Sequence, residues 1–220
     1  MKFKILVIVM LSGLLASCEM VLVGALNQIQ LTQIAVADNK LYLMGDFNAQ
    51  SDEQIIASLN ANPQVDTLVL TVSSGSLDDE TTFKIAREVR QRQLNTHLLY
   101  NSVIASGAVD FFLAGVNRSM EIGAKIGVHS WSDGVQEAKD MPKQHADHAL
   151  NANYIEHMLG TDDFYWFTIY AAPADAIYWM SETEINQYQL LTQTPLDTRT
   201  SDTPFGTLLL ENRKELLEGM

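Results

Sequence analysis

Three short polar stretches occur in a fixed order along the chain, and each could supply one part of a hydrolytic site. Ser73-Ser74-Gly75-Ser76 could present backbone N–H groups, Ile104-Ala105-Ser106-Gly107 a serine hydroxyl, and Ile126-Gly127-Val128-His129 an imidazole. Acyl transfer by a serine requires the hydroxyl, a base that accepts its proton, and hydrogen-bond donors for the oxyanion. The chemistry therefore depends on whether the fold brings the three stretches together.

The segments that precede these stretches have the composition of buried strands. Thr67–Val72 is a run of apolar and β-branched residues that ends at Ser73. The intervening segments have helical periodicity, so the order strand, helix, strand, helix, strand predicts parallel pairing with right-handed crossovers. Open parallel sheets place their sites at the carboxyl ends of strands, where all three stretches fall. The other predicted elements are strands at 96–100 and 125–128 and helices from Asp78 or Asp79 to about Gln93 and from Ser106 to about Gly115.

Flanking segments extend this unit in both directions. One or two strands are predicted between Gln28 and Asp46, followed by a helix that Ser51 caps and that ends near Asn60. Ser181 and Glu184 have capping-box spacing, which predicts a short helix. The tail is predicted to form a loop from Thr194 to Thr203 and a helix from Leu208 to Leu217.

Ser106 is the predicted nucleophile because it stands at a strand-to-helix turn and is followed by Gly107. The first N–H groups of a helix are free and lie at the positive end of its dipole, so they suit a developing oxyanion. The N–H of Gly107 would be one donor, and the N–H of Gly75 or Ser76 would be the other. His129 ends the neighbouring strand, from which its ring could reach Ser106 and act as the base.

The same stretches resemble a known family. Over residues 40–192 the pattern is similar to that of the Clp protease proteolytic subunit and its crotonase-like relatives, and in particular to Clp-like periplasmic lipoproteins. The resemblance implies an α/β, ClpP/crotonase-like fold of repeated β-β-α units, with a mainly parallel sheet flanked by helices. It also implies that Ser106 is the nucleophile and His129 the base. The matching motifs are Ser73-Ser74-Gly75-Ser76, Ile85-Ala86, Val89-Arg90, Ala105-Ser106-Gly107-Ala108, Leu113-Ala114-Gly115, Ile126-Gly127-Val128-His129, Tyr178-Trp179-Met180-Ser181 and Tyr188-Gln189-Leu190-Leu191.

The resemblance leaves the third catalytic residue open. In the family an acid follows the histidine and shortly precedes the segment that matches Trp179-Met180-Ser181, and Asp175 is the acid nearest to that place. Asp162 and Asp163 are alternatives, and so is a site without an acid, because a serine–histidine dyad can still act. The family also carries paired glycines where this chain has Gly75-Ser76, so the Ser76 side chain is expected to narrow the oxyanion region.

A group of histidines could suggest a metal site. His145 and His148 have helical spacing, with His157 farther along, which could place imidazoles on one helix face. The stretch lacks the general-base glutamate of a zinc-protease motif. We therefore expect an exposed polar helix face and assign no metal ligands and no cofactor.

Three further features could border the site. Asp110 follows Ser106 by one helical turn and could face the site, cap the helix or pair with Arg118. Arg118 is interpreted as a salt-bridge residue. The aromatic segment 164–170 could line an acyl or peptide pocket, or could form core or the interface of a homo-oligomer.

The N-terminus has the features of a bacterial lipoprotein signal. Two lysines precede an apolar run from Ile5 to Leu15, and Leu15-Ala16-Ser17-Cys18 resembles a lipobox. Cleavage before Cys18, the single cysteine, would allow acylation with palmitate-type chains and hold the protein on a membrane. The alternatives are a cleaved signal without lipid and a signal anchor. Glu19 favours the outer over the inner membrane, which predicts a periplasm-facing protein of the cell envelope.

Composition limits the remaining classes of function. The chain has 220 residues, of which 47% are hydrophobic, which fits an α/β domain with a full core. A net charge of −13 provides no basic face for nucleic acid.

We divide the chain into a signal peptide (1–17), a tether (18–27), a Clp/crotonase-like domain (28–193) and a C-terminal loop and short helix (194–220).

Two hypotheses for the function follow from these features. The first is a membrane-anchored serine hydrolase, peptidase-like, that acts on a peptide or acyl substrate. The second is a catalytically inactive Clp-like lipoprotein that serves as a binding or structural module. The unassigned acid and Ser76 are the sequence features that separate them.

Overall fold

The computed structural model describes residues 31–219 of the chain. The predicted signal peptide, the tether and the lipidation site Cys18 lie outside these residues. Within residues 31–219, no helix has both the length and the apolar character needed to cross a membrane.

A seven-stranded sheet forms the centre of the described residues. Its strands are β1 (Gln33–Ala37), β2 (Lys40–Met44), β3 (Thr67–Ser73), β4 (Asn95–Ala105), β5 (Arg118–Met120), β6 (Lys125–Val128) and β7 (Tyr178–Trp179). Their order in the sheet is β1-β2-β3-β4-β6-β7, and β5 also pairs with β4.

The pairing confirms the predicted parallel arrangement. Strands β2, β3, β4 and β6 are parallel neighbours, whereas β1 and β7 pair antiparallel at the two edges. Ser73 lies opposite Ile104, and Ala105 lies opposite Gly127, so the three polar stretches end side by side. Strand β4 extends beyond its predicted end at Tyr100, and β5 was not predicted because its three residues are too few to show a pattern.

Helices connect the strands where the sequence predicts them, with one capping residue corrected. Asp78 caps α2, and Ser181 with Glu184 forms the predicted capping box of α6. The prediction that Ser51 is an N-cap is wrong, because Asn48 holds that position and Ser51 is its capping-box partner. The helices of the described residues are α1 (Ala49–Ala61), α2 (Asp79–Gln91), α3 (Gly107–Phe112), α4 (Ala149–Leu159), α5 (Asp163–Ala171), α6 (Glu182–Gln187) and α7 (Thr207–Glu218).

Helices cover both faces of the sheet. On one face, Ile55 of α1 and Phe83 of α2 belong to the large core that also contains residues of α3, α4 and α5. On the other face, Leu209 of α7 packs with Met44 and Val72. The sheet is therefore buried on both sides, which is the usual setting for parallel strands.

Arg118 is buried and forms no salt bridge with any of residues 31–219, contrary to the prediction. Its guanidinium donates to the backbone carbonyls of Leu190 at 2.8 Å, Gln189 at 3.1 Å and Gly115 at 3.2 Å. Burial lowers the pKa of Arg118 to about 10. The side chain thus fastens the segment after α6 onto β5 through carbonyl groups, which sequence spacing alone does not reveal.

Candidate active site

Ser106 occupies a sharp turn between β4 and α3 and has strained backbone angles. Its φ is 52° and its ψ is −134°, values that residues other than glycine rarely adopt. The Ser106 N–H donates to the Gly127 carbonyl at 3.1 Å, and the Ser106 carbonyl accepts from the Val109 N–H at 2.8 Å. These bonds hold the strained turn, and the Ser106 hydroxyl forms no hydrogen bond with any described residue. A serine held on such a strand-to-helix turn is typical of hydrolase nucleophiles.

Replacing Ser106 with glycine is expected to stabilise the fold. The positive φ costs a serine free energy that glycine does not incur, so Ser106→Gly should raise the free energy of unfolding by about 1 kcal/mol relative to Ser106→Ala. Urea denaturation of the two variants, which both lack the hydroxyl, measures the difference. Equal stabilities would contradict a strained turn at this position.

The loop Ser73–Ser76 packs directly against Ser106. Gly75 has a φ of 147°, and a Cβ atom on it would lie 2.9 Å from Ser106 Cβ, so a side chain does not fit there. A Cβ atom on Gly107 would lie 2.5 Å from Ser76 Cβ and 3.2 Å from Ser76 N. The structure therefore brings all three predicted oxyanion residues, Gly75, Ser76 and Gly107, together around Ser106.

The backbone hydrogen bonds single out two of these three N–H groups. The Gly75 N–H donates to Asp46 Oδ1 at 3.2 Å. The Ser76 N–H has no acceptor among the described residues, and the Gly107 N–H, at the first position of α3, has none within its helix. Ser76 and Gly107 thus form the candidate oxyanion pair. The Ser76 side chain was expected to narrow the oxyanion region. Its hydroxyl forms a hydrogen bond with Thr82 Oγ1 at 2.7 Å.

Asp46 positions this loop and was missed by the sequence analysis. Its carboxylate accepts hydrogen bonds from the Ser74 N–H at 2.7 Å and the Ser74 hydroxyl at 2.6 Å, in addition to the Gly75 N–H. The available signal was its location, since Asp46 lies just beyond the carboxyl end of β2, at the same edge as the three stretches. An acid at that edge could have been recognised as a loop anchor.

His129 faces the same cavity as Ser106 and has a defined protonation pattern. Its Nδ1 lies 2.6 Å from the Ser130 carbonyl oxygen, so Nδ1 carries the hydrogen and Nε2 is left as an acceptor. Burial lowers the pKa of His129, and the bond to the Ser130 carbonyl partly opposes this effect. Burial therefore favours the neutral form of the ring, which is the form that a general base requires.

Within the described residues, none of the three predicted acids forms a hydrogen bond or ion pair with His129. Asp175 is exposed in the loop before β7, Asp163 is exposed at the start of α5, and Asp162 accepts a hydrogen bond from the Trp166 indole at 2.7 Å. The Ser130 carbonyl takes the hydrogen of Nδ1 that a triad acid would otherwise accept. Within residues 31–219 the arrangement corresponds to the dyad alternative.

Ser106 and His129 border a cavity of about 50 Å³. Because one water molecule needs about 10–15 Å³, the cavity has room for a few small groups. Phe164 and Tyr165 of the aromatic segment contribute to its wall, whereas Tyr170 is exposed at the surface. Apolar and aromatic side chains of the wall are Val109, Val128, Trp131, Ile155, Phe164 and Tyr165.

Two carboxyl groups, Asp79 and Asp110, line the same cavity. Burial raises the pKa of Asp110 well above its usual range, and the charge of Asp79 adds to the effect. Burial also raises the pKa of Asp79, followed by the charge of Asp78, while a hydrogen bond from Ser76 opposes the shift. Of the three predictions for Asp110, the one in which it faces the site agrees with the structure, and no pair with Arg118 forms.

His148 is buried, so the expected exposed helix face is wrong at this position. It is 2% exposed, and its Nδ1 lies 2.6 Å from the Tyr165 hydroxyl, which also accepts from the Trp131 indole at 3.1 Å. Burial raises the pKa of Tyr165 to about 12. The aromatic residues of α5 cover His148, a tertiary contact that helical spacing does not reveal. The described residues contain no group of three or more histidine, cysteine or acidic side chains suited to a metal.

Comparisons with known proteins agree with this fold. No protein-family model matches the chain, and no curated protein matches its sequence. Among solved structures, ClpP1 from Listeria monocytogenes is similar with a TM-score of 0.54 and 15% identity, covering 74% of this chain and 93% of that one. The 1510-N membrane-bound stomatin-specific protease, in complex with a substrate peptide, has a TM-score of 0.52 and 13% identity, covering 74% and 78%.

A third similar structure is an enoyl-CoA hydratase from Shewanella pealeana, with a TM-score of 0.49 and 10% identity, covering 89% of this chain and 81% of that one. The chain has a ClpP/crotonase-like fold, as the sequence resemblance predicts. At these identities the comparisons concern the fold alone.

Proposed function

We propose that this protein is a peptidase-like serine hydrolase of the bacterial cell envelope, anchored to a membrane through Cys18. The observation that carries the catalytic part is the strained Ser106, whose free hydroxyl shares a cavity with a neutral His129. The Ser106 hydroxyl bonds to nothing within the described residues, so the turn is held by backbone hydrogen bonds and not by this side chain. A role as the nucleophile explains why a serine, rather than a glycine, occupies this strained position.

The proposed reaction proceeds in two steps. Ser106 Oγ attacks the carbonyl carbon of the substrate while His129 Nε2 accepts the hydroxyl proton, and the oxyanion binds to the N–H groups of Ser76 and Gly107. The bond to the leaving group breaks, the leaving group takes the proton from His129, and an acyl-serine remains. Water then gives a proton to His129 and attacks the acyl-serine, and that proton returns to Ser106 when the acid product leaves.

Hydrolysis of a simple activated ester tests this function. The full-length protein should hydrolyse p-nitrophenyl acetate with saturable kinetics and should lose this activity irreversibly after reaction with one equivalent of a fluorophosphonate. Folded protein without ester hydrolysis above background would contradict the proposal.

The dyad makes a specific prediction for pH and for the acids. Because a base acts only when it is unprotonated, kcat/KM should be lost as the pH falls through the pKa of His129, and burial places that inflection below the usual value of about 6.5. Asp175→Asn should leave the profile unchanged and alter kcat/KM by less than about threefold, whereas loss of a triad acid costs about 10⁴-fold. A large loss of kcat/KM in Asp175→Asn would restore the interpretation of a catalytic triad. Asp162→Asn and Asp163→Asn are measured in the same way, with the same expected result.

Membrane anchoring rests on the sequence of the N-terminus. The apolar run followed by Leu15-Ala16-Ser17-Cys18 supports acylation of Cys18, and several acyl chains would hold the protein firmly on a membrane. Cys18→Ala should abolish incorporation of labelled palmitate and move the protein from the membrane to the soluble fraction. If Cys18→Ala stays membrane-bound, the lipid anchor is contradicted and a signal anchor is favoured.

A second function is supported by a specific observation. His129 has no acid partner within the described residues, and the Ser106 hydroxyl is not hydrogen-bonded to it. This geometry also suits an inactive descendant that binds a peptide or acyl group in the cavity. The ester test separates the two, because a binding module would bind a substrate analogue without hydrolysing it.

A further inference from the structure

We propose that Asp79 and Asp110 make the cavity a binding site for a primary ammonium group, as at the end of a lysine side chain. The inference rests on the proposed hydrolase function in one respect: the ammonium group would belong to the substrate whose carbonyl Ser106 attacks. The proposal starts from the two carboxyl groups that share the cavity with Ser106 and His129.

The two carboxyl groups lie close to the site of attack. Asp79 Oδ1 is 3.3 Å from the place that a Cβ atom on Gly107 would occupy. Asp110 is on α3, one turn beyond Gly107, so both carboxyl groups flank the helix start that supplies an oxyanion donor. A substrate bound at Ser106 would therefore place a neighbouring group next to them.

Nothing in the described residues neutralises this pair. The Asp110 carboxyl has neither a hydrogen bond nor an ion pair there, and no lysine or arginine forms a salt bridge with Asp79. Buried carboxylates are ordinarily paired with a cation or protonated. Burial disfavours the ionised form of both groups, and the charge of Asp79 adds to this effect on Asp110 when the cavity holds no cation.

The amide oxygen of Asn151, another polar group of the cavity, is buried and lacks a hydrogen-bond partner within the described residues. Asn151 is on α4, on a different element from either carboxyl group, so it is an independent observation. An ammonium group has three donors and no acceptor, which matches two carboxylates and one amide oxygen.

The rest of the cavity favours an aliphatic amine over other cations. Val109 and Ile155 offer apolar contacts to methylene groups, and the volume of about 50 Å³ suits a terminal ammonium group with its adjoining carbon rather than an aromatic ring. A bound ammonium group would also remove the repulsion that two carboxylates near Gly107 would exert on an oxyanion. The pair would thus favour attack on substrates that bring their own positive charge.

Paired ester substrates test the proposal. Thiobenzyl esters of Nα-acetyl-lysine and Nα-acetyl-norleucine differ in the ammonium group, and the wild-type kcat/KM should favour lysine by about 10- to 100-fold, the effect of one or two charge-assisted hydrogen bonds. In Asp110→Asn and in Asp79→Asn this preference should fall to within about threefold. Glu156→Gln, which removes an exposed acid from α4, is the control and should keep the wild-type preference. Equal kcat/KM values for both esters in the wild-type protein would overturn the inference and leave the hydrolase function standing.

A binding measurement keeps the proposal testable if neither ester is hydrolysed, which would contradict the hydrolase function alone. n-Butylammonium chloride should raise the Tm of the wild-type protein more than n-butanol does at equal concentration and ionic strength. Asp110→Asn should lose this difference, and Ser106→Ala should keep it. Identical Tm shifts with the two compounds in the wild-type protein would overturn the ammonium site.

Discussion

Ser106→Ala should reduce ester hydrolysis by at least about 10³-fold, because the hydroxyl is the only protein nucleophile in the proposed reaction. The substitution removes one atom that bonds to nothing within the described residues, so the fold should be retained. Backbone strain persists in alanine, and Tm should therefore stay close to the wild-type value. Loss of activity at unchanged Tm would assign the effect to chemistry rather than to folding.

Ser132→Ala is the matched control for this variant. Ser132 is an exposed serine whose hydroxyl donates to the Gln136 carbonyl at 3.1 Å, and it does not line the cavity. Its activity should remain within about threefold of the wild-type value. If Ser106→Ala hydrolysed the ester as fast as Ser132→Ala does, the nucleophile would have to be another residue.

Gly75→Ala should lower kcat/KM by about 10²- to 10³-fold, comparable to the loss of an oxyanion donor. The new Cβ atom would lie 2.9 Å from Ser106 Cβ and 3.3 Å from Ser106 Oγ, so the hydroxyl must shift. The φ of 147° adds backbone strain for any L side chain. Steady-state kinetics with p-nitrophenyl acetate measure the effect of the displaced hydroxyl on kcat/KM. The Tm measures the loss of stability from the backbone strain.

Gly134→Ala is the control for Gly75→Ala, because it introduces backbone strain without a steric clash. The difference between the two variants measures the effect of the clash on Ser106. Gly134 also has a positive φ, of 86°, but a Cβ atom there would meet nothing within 4 Å. It should therefore show a loss of stability from strain with little change in kcat/KM. Wild-type activity in a folded Gly75→Ala protein would show that the Ser73–Ser76 loop does not constrain Ser106.

The order of elements could be predicted from the sequence because it depends on local patterns. Thr67–Val72 has the β-branched apolar composition of a buried strand, and α2 has a cap at Asp78 and a clear apolar face. From these patterns the parallel pairing follows, and with it the convergence of Gly75, Ser106 and His129 at one edge of the sheet. The resemblance added definite roles for two of them.

The polar partners of the site could not be predicted, because each depends on contacts between distant segments. Asp46 reaches the Ser73–Ser76 loop across neighbouring strands, and Arg118 is satisfied by carbonyl groups rather than by an acid. His148 is covered by α5, which reverses its expected exposure. The Ser130 carbonyl beside His129 is a main-chain group, and no pattern of side chains indicates it.

The acids show the same limitation most clearly. Asp175 was selected by its place in the sequence, whereas the acids that the fold brings to the cavity are Asp79 and Asp110. Asp79 was visible only as a candidate helix cap, and facing the site was one of three alternatives for Asp110, one turn beyond Ser106. Their meeting depends on the packing of α2 against α3, which sequence spacing does not specify.

The most direct test of the central claim is the location of a fluorophosphonate adduct by peptide mass spectrometry on the folded full-length protein. A single adduct on Ser106, absent from Ser106→Ala and much slower to form in His129→Ala, is the predicted result. A folded protein that remains unlabelled throughout the pH range in which His129 is neutral, or an adduct on another serine, would contradict it.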